Sequence, residues 1–402
     1  MAATATFNEK VVSVTFSDRF KSHYNHIWLR DNCHCKQCYH DVTKQRLLDT
    51  FKIPTDIQPS SVEVDHVSSF LKVVWNNDEH LSTFSLSWLK ANAYNPLPPG
   101  NEDEDDDVDY GSYSPWNKKG LRYFTPEVEY DDVISTTDGV KDWVNKTSAY
   151  GFCFVQNVPV DPIKTKELIE RITFIKPTHY GGFWDFTADM SKNDTAYSNI
   201  EIPLHTDGTY WSEAPGYQSF HLLKHNGTGG TTSLSDGFNV AYTLKLLNPK
   251  YFELLSTVPV DFHCAGEEDV FIQPVVSRPI IIVDEQNKDK VVQIRWNNSD
   301  RSVLKIPKSF YQMNSTAMNV DFVETFYKAI SAFRELLHDD EQEMFYQLRP
   351  GQLLLFDNWR VLHSRTSFTG ERRMCGAYYS KDDFISRYKT LNNKREDLVA
   401  EL

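Results

Sequence analysis

What this sequence is short of narrows its reading before any motif is considered. It has no apolar run near the roughly 18 or more residues of a membrane span. Its longest such runs are strand-sized, as in Ile280-Ile281-Ile282-Val283. Basic charge is scarce, with 42 Lys and Arg against 56 Asp and Glu and a formal charge of −14. That balance argues against a nucleic-acid partner, whose phosphates need clustered cations, and against an anionic membrane surface. Cysteine is sparse, six in 402 residues, which excludes a disulfide scaffold. Residues 1–10 contain neither arginine nor an apolar core, so the expected location is cytoplasmic, with a mitochondrial one left open. No internal repeat is present. Hydrophobic residues make up 40%, enough for real cores, and the length suits two or three folding units.

Three of the six cysteines fall within six residues, in Cys33-His34-Cys35-Lys36-Gln37-Cys38. In a reducing compartment such thiols bind zinc more often than they oxidise, and three cysteines with one histidine make a closed tetrahedral set. His80 is the expected fourth ligand, in the turn-like segment after Leu71-Lys72-Val73-Val74-Trp75. His34, between two ligating cysteines, is the local competitor. Residues 1–95 read as a small β-rich zinc-binding domain. The acidic run Asn101 to Asp109 repels itself and reads as part of a linker or loop over 96–124.

From residue 125 to 402 the pattern is mainly β with flanking helices. Strand-like runs recur at 151–155, 217–223, 231–234, 280–283, 291–296, 344–348, 352–356 and 374–379. Helical patterns cover 126–148, 240–255 and 321–337, and another starts at Asp161, a plausible N-cap followed by Pro162. Many strands with a few helices indicate a double-stranded β-helix, or jelly roll. Within it, Pro203-Leu204-His205-Thr206-Asp207-Gly208 can aim His205 and Asp207 at one point, since residues i and i+2 of an extended chain share a face. The apolar strand from Leu353 is expected to deliver His363 just past its end, 156 residues after Asp207. Two histidines and one carboxylate on one face of an octahedron are the usual ligands of non-haem Fe(II) oxygenases.

The iron stretch with Tyr217 to Phe238, the Asp357-Asn358-Trp359-Arg360-Val361-Leu362-His363 segment and Trp28-Leu29-Arg30-Asp31 resemble the γ-butyrobetaine and trimethyllysine dioxygenases. The resemblance covers nearly the whole chain. It implies Fe(II) and 2-oxoglutarate as cofactor and cosubstrate, ascorbate as reductant, and commonly a homodimer. It makes His205, Asp207 and His363 the iron ligands, and it matches the zinc set at Cys33, Cys35, Cys38 and His80. Arg372 matches the family's oxoglutarate arginine, and a guanidinium fork suits a carboxylate better than an ammonium does. Arg373 should point the other way, and Arg360 and Arg365 are weaker candidates. Thr232 stands where an assisting hydroxyl is expected, with Thr231 and Ser233 as equally able donors.

The same resemblance places Tyr180, Trp184, Tyr197 and Tyr378 in an aromatic cage. A quaternary ammonium has no N–H to donate, so ring faces must recognise it. Asp194, where butyrobetaine enzymes tend to carry an amide, would attract the α-ammonium of trimethyllysine. Phe368-Thr369-Gly370 leading into Cys375-Gly376, and Lys44 to Thr50, favour the trimethyllysine branch. The implied reaction is hydroxylation of Nε-trimethyllysine at C3, the first step of carnitine biosynthesis. The alternatives are γ-butyrobetaine hydroxylation and, in another class, a non-catalytic protein that only binds trimethyllysine.

Overall fold

The computed structural model describes residues 2–98, 113–187, 198–311 and 316–400. It divides into two compact units, 1–106 with 393–402, and 107–392. The described chain is mainly β with flanking helices.

The first unit begins with an antiparallel sheet of β1 (Thr4–Phe7), β2 (Val11–Thr15) and β3 (Lys21–Asn25), which leads into α1 (His26–Asp31). A small hairpin follows, β4 (Tyr39–His40) with β5 (Gln45–Arg46). A second three-stranded sheet holds β6 (Pro59–Asp65), β7 (Phe70–Trp75) and β8 (Leu81–Ser85), and α2 (Leu86–Ala91) closes the segment. Alternation builds its core. Val12, Val14 and Tyr24 from the first sheet meet Leu71, Val73, Trp75 and Phe84 from the second, all buried. Ser85 caps α2 by accepting from the Trp88 N–H.

The second unit opens with β9 (Glu127–Glu129), α3 (Tyr130–Ser135), α4 (Thr137–Tyr150), β10 (Phe152–Gln156) and α5 (Pro162–Ile169). The helix expected from Asp161 starts there, with the Asp161 carboxylate accepting from Ile163 N at 2.7 Å. Next come β11 (Trp184–Thr187), β12 (Ile202–His205), β13 (Tyr217–His225) and β14 (Thr232–Asp236). Where one helical pattern is expected over 240–255 there are two helices, α6 (Gly237–Leu247) and α7 (Pro249–Thr257). The break is local: Pro249 has no N–H to continue the first helix, and the Asn248 side chain instead caps the second at Tyr251 N. The chain continues through β15 (Ile281–Val283), β16 (Val291–Ile294), α8 (Thr316–Leu337), β17 (Met344–Tyr346), β18 (Leu353–Asp357), β19 (Val361–Arg365), β20 (Arg372–Tyr379) and α9 (Lys381–Asn392). A last helix, α10 (Arg395–Ala400), belongs to the first unit.

Two sheets frame the site. One runs β11-β20-β13-β18-β10-β9 and the other β12-β19-β14-β17. The larger sheet sorts its side chains by parity. Cys153, Val155, Leu353 and Leu355 pack with Trp143, Val144, Leu168 and Phe384 of the helices outside. Phe152, Phe154, Leu354, Phe356 and Met374 turn inward to meet Leu234 and Val361 of the smaller sheet. The apolar outer layer of α6, α7 and α8 packs with β15, β16 and Leu362 of β19.

Arg360, in the turn between β18 and β19, is an anchor of this frame. Its Nε and Nη2 donate to Asp236 at 3.1 and 2.8 Å, and Nη1 donates to the Ala149 carbonyl. Both side chains are essentially inaccessible to solvent. Arg360→Met is therefore expected to strand the Asp236 carboxylate and to lower the unfolding free energy by about 3–5 kcal/mol, read from urea denaturation. The double change with Asp236→Asn should recover part of that loss. An unaltered midpoint in the single variant would refute the anchoring role.

Candidate metal centre and its two cavities

His205 ends β12 and His363 lies in the middle of β19, its direct cross-strand partner. The sequence expectation that His363 follows the apolar strand is corrected here. A turn at 358–360 intervenes, and the histidine is delivered by the next strand. Antiparallel pairing then closes a gap of more than 150 residues with one ladder position. The rings are 4.2 Å apart between centroids. Asp207 lies past the end of β12, where Gly208 turns the chain at φ 68°. A Cβ at Gly208 would stand 2.3 Å from the Trp211 ring, so this turn needs glycine on two counts.

The ligand atoms of His205, Asp207 and His363 all lie within 4.8 Å of one another. His205 Nε2 is 2.9 Å from Asp207 Oδ1, and His363 Nε2 is 3.9 Å from it. Two ligand atoms at ~2.1 Å from one octahedral ion sit roughly 3 Å apart along an edge, so the closer pair already matches. His205 Nδ1 donates to the Pro203 carbonyl at 2.8 Å, which leaves Nε2 as the lone-pair nitrogen. Burial and the neighbouring His205 push His363 down to about 3, so its imidazole is neutral and able to ligate. The donor set fits Fe(II).

The Asp207 backbone is clamped by a residue that the sequence reading did not single out. Asn358 Oδ1 accepts from Asp207 N at 2.8 Å, while its Nδ2 donates to the carbonyls of Asp207 and Pro215. Asn358 lies in the 357–363 stretch and is buried, and nothing in its local sequence points to Asp207, 151 residues away.

Two cavities meet at this point, and His205, Asp207, Phe186, Ile202 and Phe220 line both. The smaller, about 80 Å³, also takes in Thr232, Arg365 and Arg372. Arg372 starts β20 and is buried, with its Nε lacking a hydrogen-bond partner among the described residues. Burial and the Arg365 charge push its guanidinium down to about 10, and burial does the same to Arg365. Both remain cationic at neutral pH. Two buried guanidiniums on one small cavity, with an unused N–H, fit a dicarboxylate such as 2-oxoglutarate.

The structure also separates the competitors. Arg373 lies on the opposite face, where its Nε and Nη2 donate to Asp185 at 2.8 and 2.5 Å. Arg360 is committed to Asp236. Thr231 donates to Gln347 and Ser233 to Glu343, so of the three hydroxyls Thr232 alone is in the cavity lining.

The larger cavity, about 330 Å³, is lined by Tyr180, Trp184, Tyr210 and Tyr378 and by a polar group that includes His263, Asn297 and Asp300. Trp184 and Tyr378 stand edge to face at 5.4 Å between centroids, and Tyr180 Oη is 3.1 Å from Tyr210 Oη. Three of the four expected cage residues thus converge. Tyr197 and Asp194 lie outside the described residues, as does the acidic segment 101–109. Tyr378 does more than expected: its hydroxyl donates to Asp207 Oδ2 at 2.7 Å. Tyr210 and Asp300 were missed. The first follows the iron stretch by two residues, and the second sits in the polar turn after β16, with Asn297 Nδ2 donating to its carboxylate at 2.8 Å.

In the first unit Cys33, Cys35, Cys38 and His80 converge as expected. His80 Nε2 is 3.4, 3.5 and 3.6 Å from the three sulfurs. A tetrahedral zinc with Zn–S near 2.3 Å and Zn–N near 2.0 Å puts sulfur and nitrogen about 3.5 Å apart, so the set fits zinc. Arg30 Nη1 donates to Cys38 Sγ at 3.2 Å and offsets thiolate charge. His34 is engaged elsewhere, stacked on Tyr39 at 4.4 Å.

Two family profiles and several curated proteins match the chain. The profile of the taurine catabolism dioxygenase TauD, TfdA family matches residues 116–378, and that of the γ-butyrobetaine hydroxylase-like N-terminal family matches residues 4–90. The trimethyllysine dioxygenase of Meyerozyma guilliermondii is 48% identical over 98% of this chain and 96% of its own. The human mitochondrial trimethyllysine dioxygenase is 35% identical, covering 92% of this chain and 82% of its own. The γ-butyrobetaine dioxygenase of Pongo abelii is more distant, at 28% identity over 98% of each chain. Among the described residues no helix is long and apolar enough to cross a membrane.

Proposed function

The chain belongs to the trimethyllysine dioxygenases of the TauD, TfdA family, and from that premise we infer that it hydroxylates Nε-trimethyllysine at C3, with 2-oxoglutarate and O2 giving 3-hydroxy-trimethyllysine, succinate and CO2. The observation that carries this reading is the meeting of two unlike cavities at one His-Asp-His set, one cationic and small, the other aromatic with an acid in its wall. The two sheets around it are read as a double-stranded β-helix and the first unit as a structural zinc domain. Homodimerisation rests on the family resemblance.

His205, Asp207 and His363 would hold Fe(II), which would supply the redox chemistry that couples O2 to 2-oxoglutarate. Arg372 takes the distal carboxylate of 2-oxoglutarate, Arg365 adds charge beside it and Thr232 supplies a hydroxyl. The apolar rings of Phe186 and Phe220, which line both cavities, exclude water from the junction. Tyr180, Trp184 and Tyr378 face the trimethylammonium, and the family resemblance assigns Tyr197 the same role. Asp300, steadied by Asn297, attracts the α-ammonium, a role the family resemblance gives to Asp194 as well, so that C3 is the carbon held within reach.

The direct test is incubation of purified protein with each amine, measuring succinate and hydroxylated product by mass spectrometry. Equimolar succinate and hydroxylated trimethyllysine are expected. Turnover of γ-butyrobetaine alone would reassign the substrate, and trimethyllysine binding without succinate in iron-loaded protein would leave a non-catalytic binder.

The acids supply a further prediction. Losing a charge-assisted contact worth about 1.5–3 kcal/mol should lower kcat/KM for trimethyllysine roughly ten- to a hundredfold in Asp194→Asn and in Asp300→Asn. Activity on γ-butyrobetaine, which has no α-ammonium, should hold level or rise. Equal losses on both amines would show that these acids only support the site's architecture.

A further inference from the structure

One strand runs through both cavities. Residues 372, 374, 376 and 378 share the inner face of β20, so Arg372 and Met374 line the small cavity while Tyr378 lines the large one. Gly376, between them, is an opening for an indole. A Cβ there would stand 2.3 Å from the Trp184 ring and 1.9 Å from the Ser219 carbonyl oxygen, so only glycine lets Trp184 lie against the strand beside Tyr378. The Tyr378 ring stands edge to face with Trp184 on one side and with Trp211, at 6.1 Å between centroids, on another. At the far end of that ring the hydroxyl donates to Asp207 Oδ2. Asp207 Oδ1 is the oxygen that faces His205 and His363.

A carboxylate can give a metal one oxygen or two. Holding Oδ2 in a hydrogen bond favours the first arrangement. That matters at a facial three-ligand site, because a second carboxylate oxygen would take one of the positions that cosubstrate and O2 need.

We propose that Tyr378 is a positioning residue that couples the aromatic cavity to the metal: its ring meets the trimethylammonium and its hydroxyl holds the outer oxygen of Asp207. A cation seated against the ring fixes the ring, the fixed ring fixes the hydroxyl, and the hydroxyl fixes the carboxylate. By linkage, trimethyllysine then tightens metal binding and metal tightens trimethyllysine binding by the same factor. This rests on the substrate reading above, and it adds a path from substrate occupancy to the iron site through one side chain.

The test uses zinc-loaded, iron-free full-length protein titrated with Mn(II), with and without saturating trimethyllysine, together with a direct calorimetric titration of trimethyllysine. In the wild type, trimethyllysine should lower the Mn(II) Kd by at least about fivefold. Tyr378→Phe keeps the ring and removes the hydroxyl. It should bind Mn(II) roughly 10–100-fold more weakly, as loss of an outer partner to a ligand does, and its shift on adding trimethyllysine should fall towards one. Trp184→Leu removes a cage wall that also packs on the Tyr378 ring, so it should weaken trimethyllysine and shrink the shift in Mn(II) Kd that trimethyllysine produces. Wild-type Mn(II) affinity in Tyr378→Phe would overturn the holding role, and a wild-type shift in that variant would overturn the coupling. Trimethyllysine binding to the wild type with no change in Mn(II) Kd would overturn the coupling alone. If trimethyllysine fails to bind the wild type at all, the substrate reading falls and the coupling falls with it.

Discussion

Asp207→Ala is expected to abolish hydroxylation, cutting kcat/KM by more than about 10³-fold, while the protein keeps its fold. The carboxylate is the one anionic ligand of the set and the hub to which His205 and Tyr378 both point. Loss of an outer partner to a metal ligand typically costs 10–100-fold, and removing the ligand itself must exceed that. The backbone around it should survive, because the Asn358 clamp grips the main-chain N–H and carbonyl of residue 207 and not its side chain. Asn358→Ala should accordingly give the smaller loss, about 10–100-fold, with Asp207 still present but less well held. Asp207→Glu adds one methylene and displaces the carboxylate by roughly 1 Å, which alone is worth about 10²-fold. The readouts are product formation at limiting iron, Mn(II) affinity and the thermal midpoint. Asp207→Ala with wild-type turnover at limiting iron would remove it from the metal site.

The second large effect concerns the other metal. One zinc per chain is expected, and Cys38→Ser should unfold the unit that contains it. Structural zinc contributes about 10–16 kcal/mol of apparent binding free energy, more than the few kcal/mol that so small a core retains by itself. That core is built mainly from the two three-stranded sheets and their two short helices, with Phe16, Ile53, Ile57 and Ala93 added from the connections. Cys38 is also the sulfur that Arg30 contacts, so its loss weakens one of two contacts of a buried guanidinium whose other partner is Asp78 at 3.5 Å. Metal analysis and limited proteolysis read the result: zinc absent, and residues 1–106 cleaved at protease levels the wild type resists. His34→Ala should keep its zinc, since that ring stacks on Tyr39 away from the sulfurs. Full zinc occupancy and unchanged resistance in Cys38→Ser would mean that the ligand set is wrong.

Much of this was legible in the chain because the signals are local. His205 and Asp207 are two residues apart, the three thiols lie within six residues, and Asp161-Pro162 writes its own helix start. Parity along β20 likewise said that Arg372 and Arg373 must face apart. Parity cannot say which face is inside. That was decided by the pairing of β20 with β11 and β13, which turns Arg373 out to Asp185 and Arg372 in to the small cavity. The same holds for Thr232, distinguished from two equally able neighbours only because Gln347 and Glu343 engage those on the other side.

The ligand types, the metal chemistry they suit and the strand-rich class are properties of residue identity and short spacing, and the sequence by itself determined them. Tertiary structure alone decided that His363 sits in β19 opposite His205, that Asn358 grips Asp207, that Asp300 lines the larger cavity, and that the Tyr378 hydroxyl reaches the Asp207 carboxylate. Each of those joins residues far apart in the chain. Such contacts depend on cross-strand register and on side chains filling a shared interior, and these are set by the packing of the whole sheet pair rather than by any one segment.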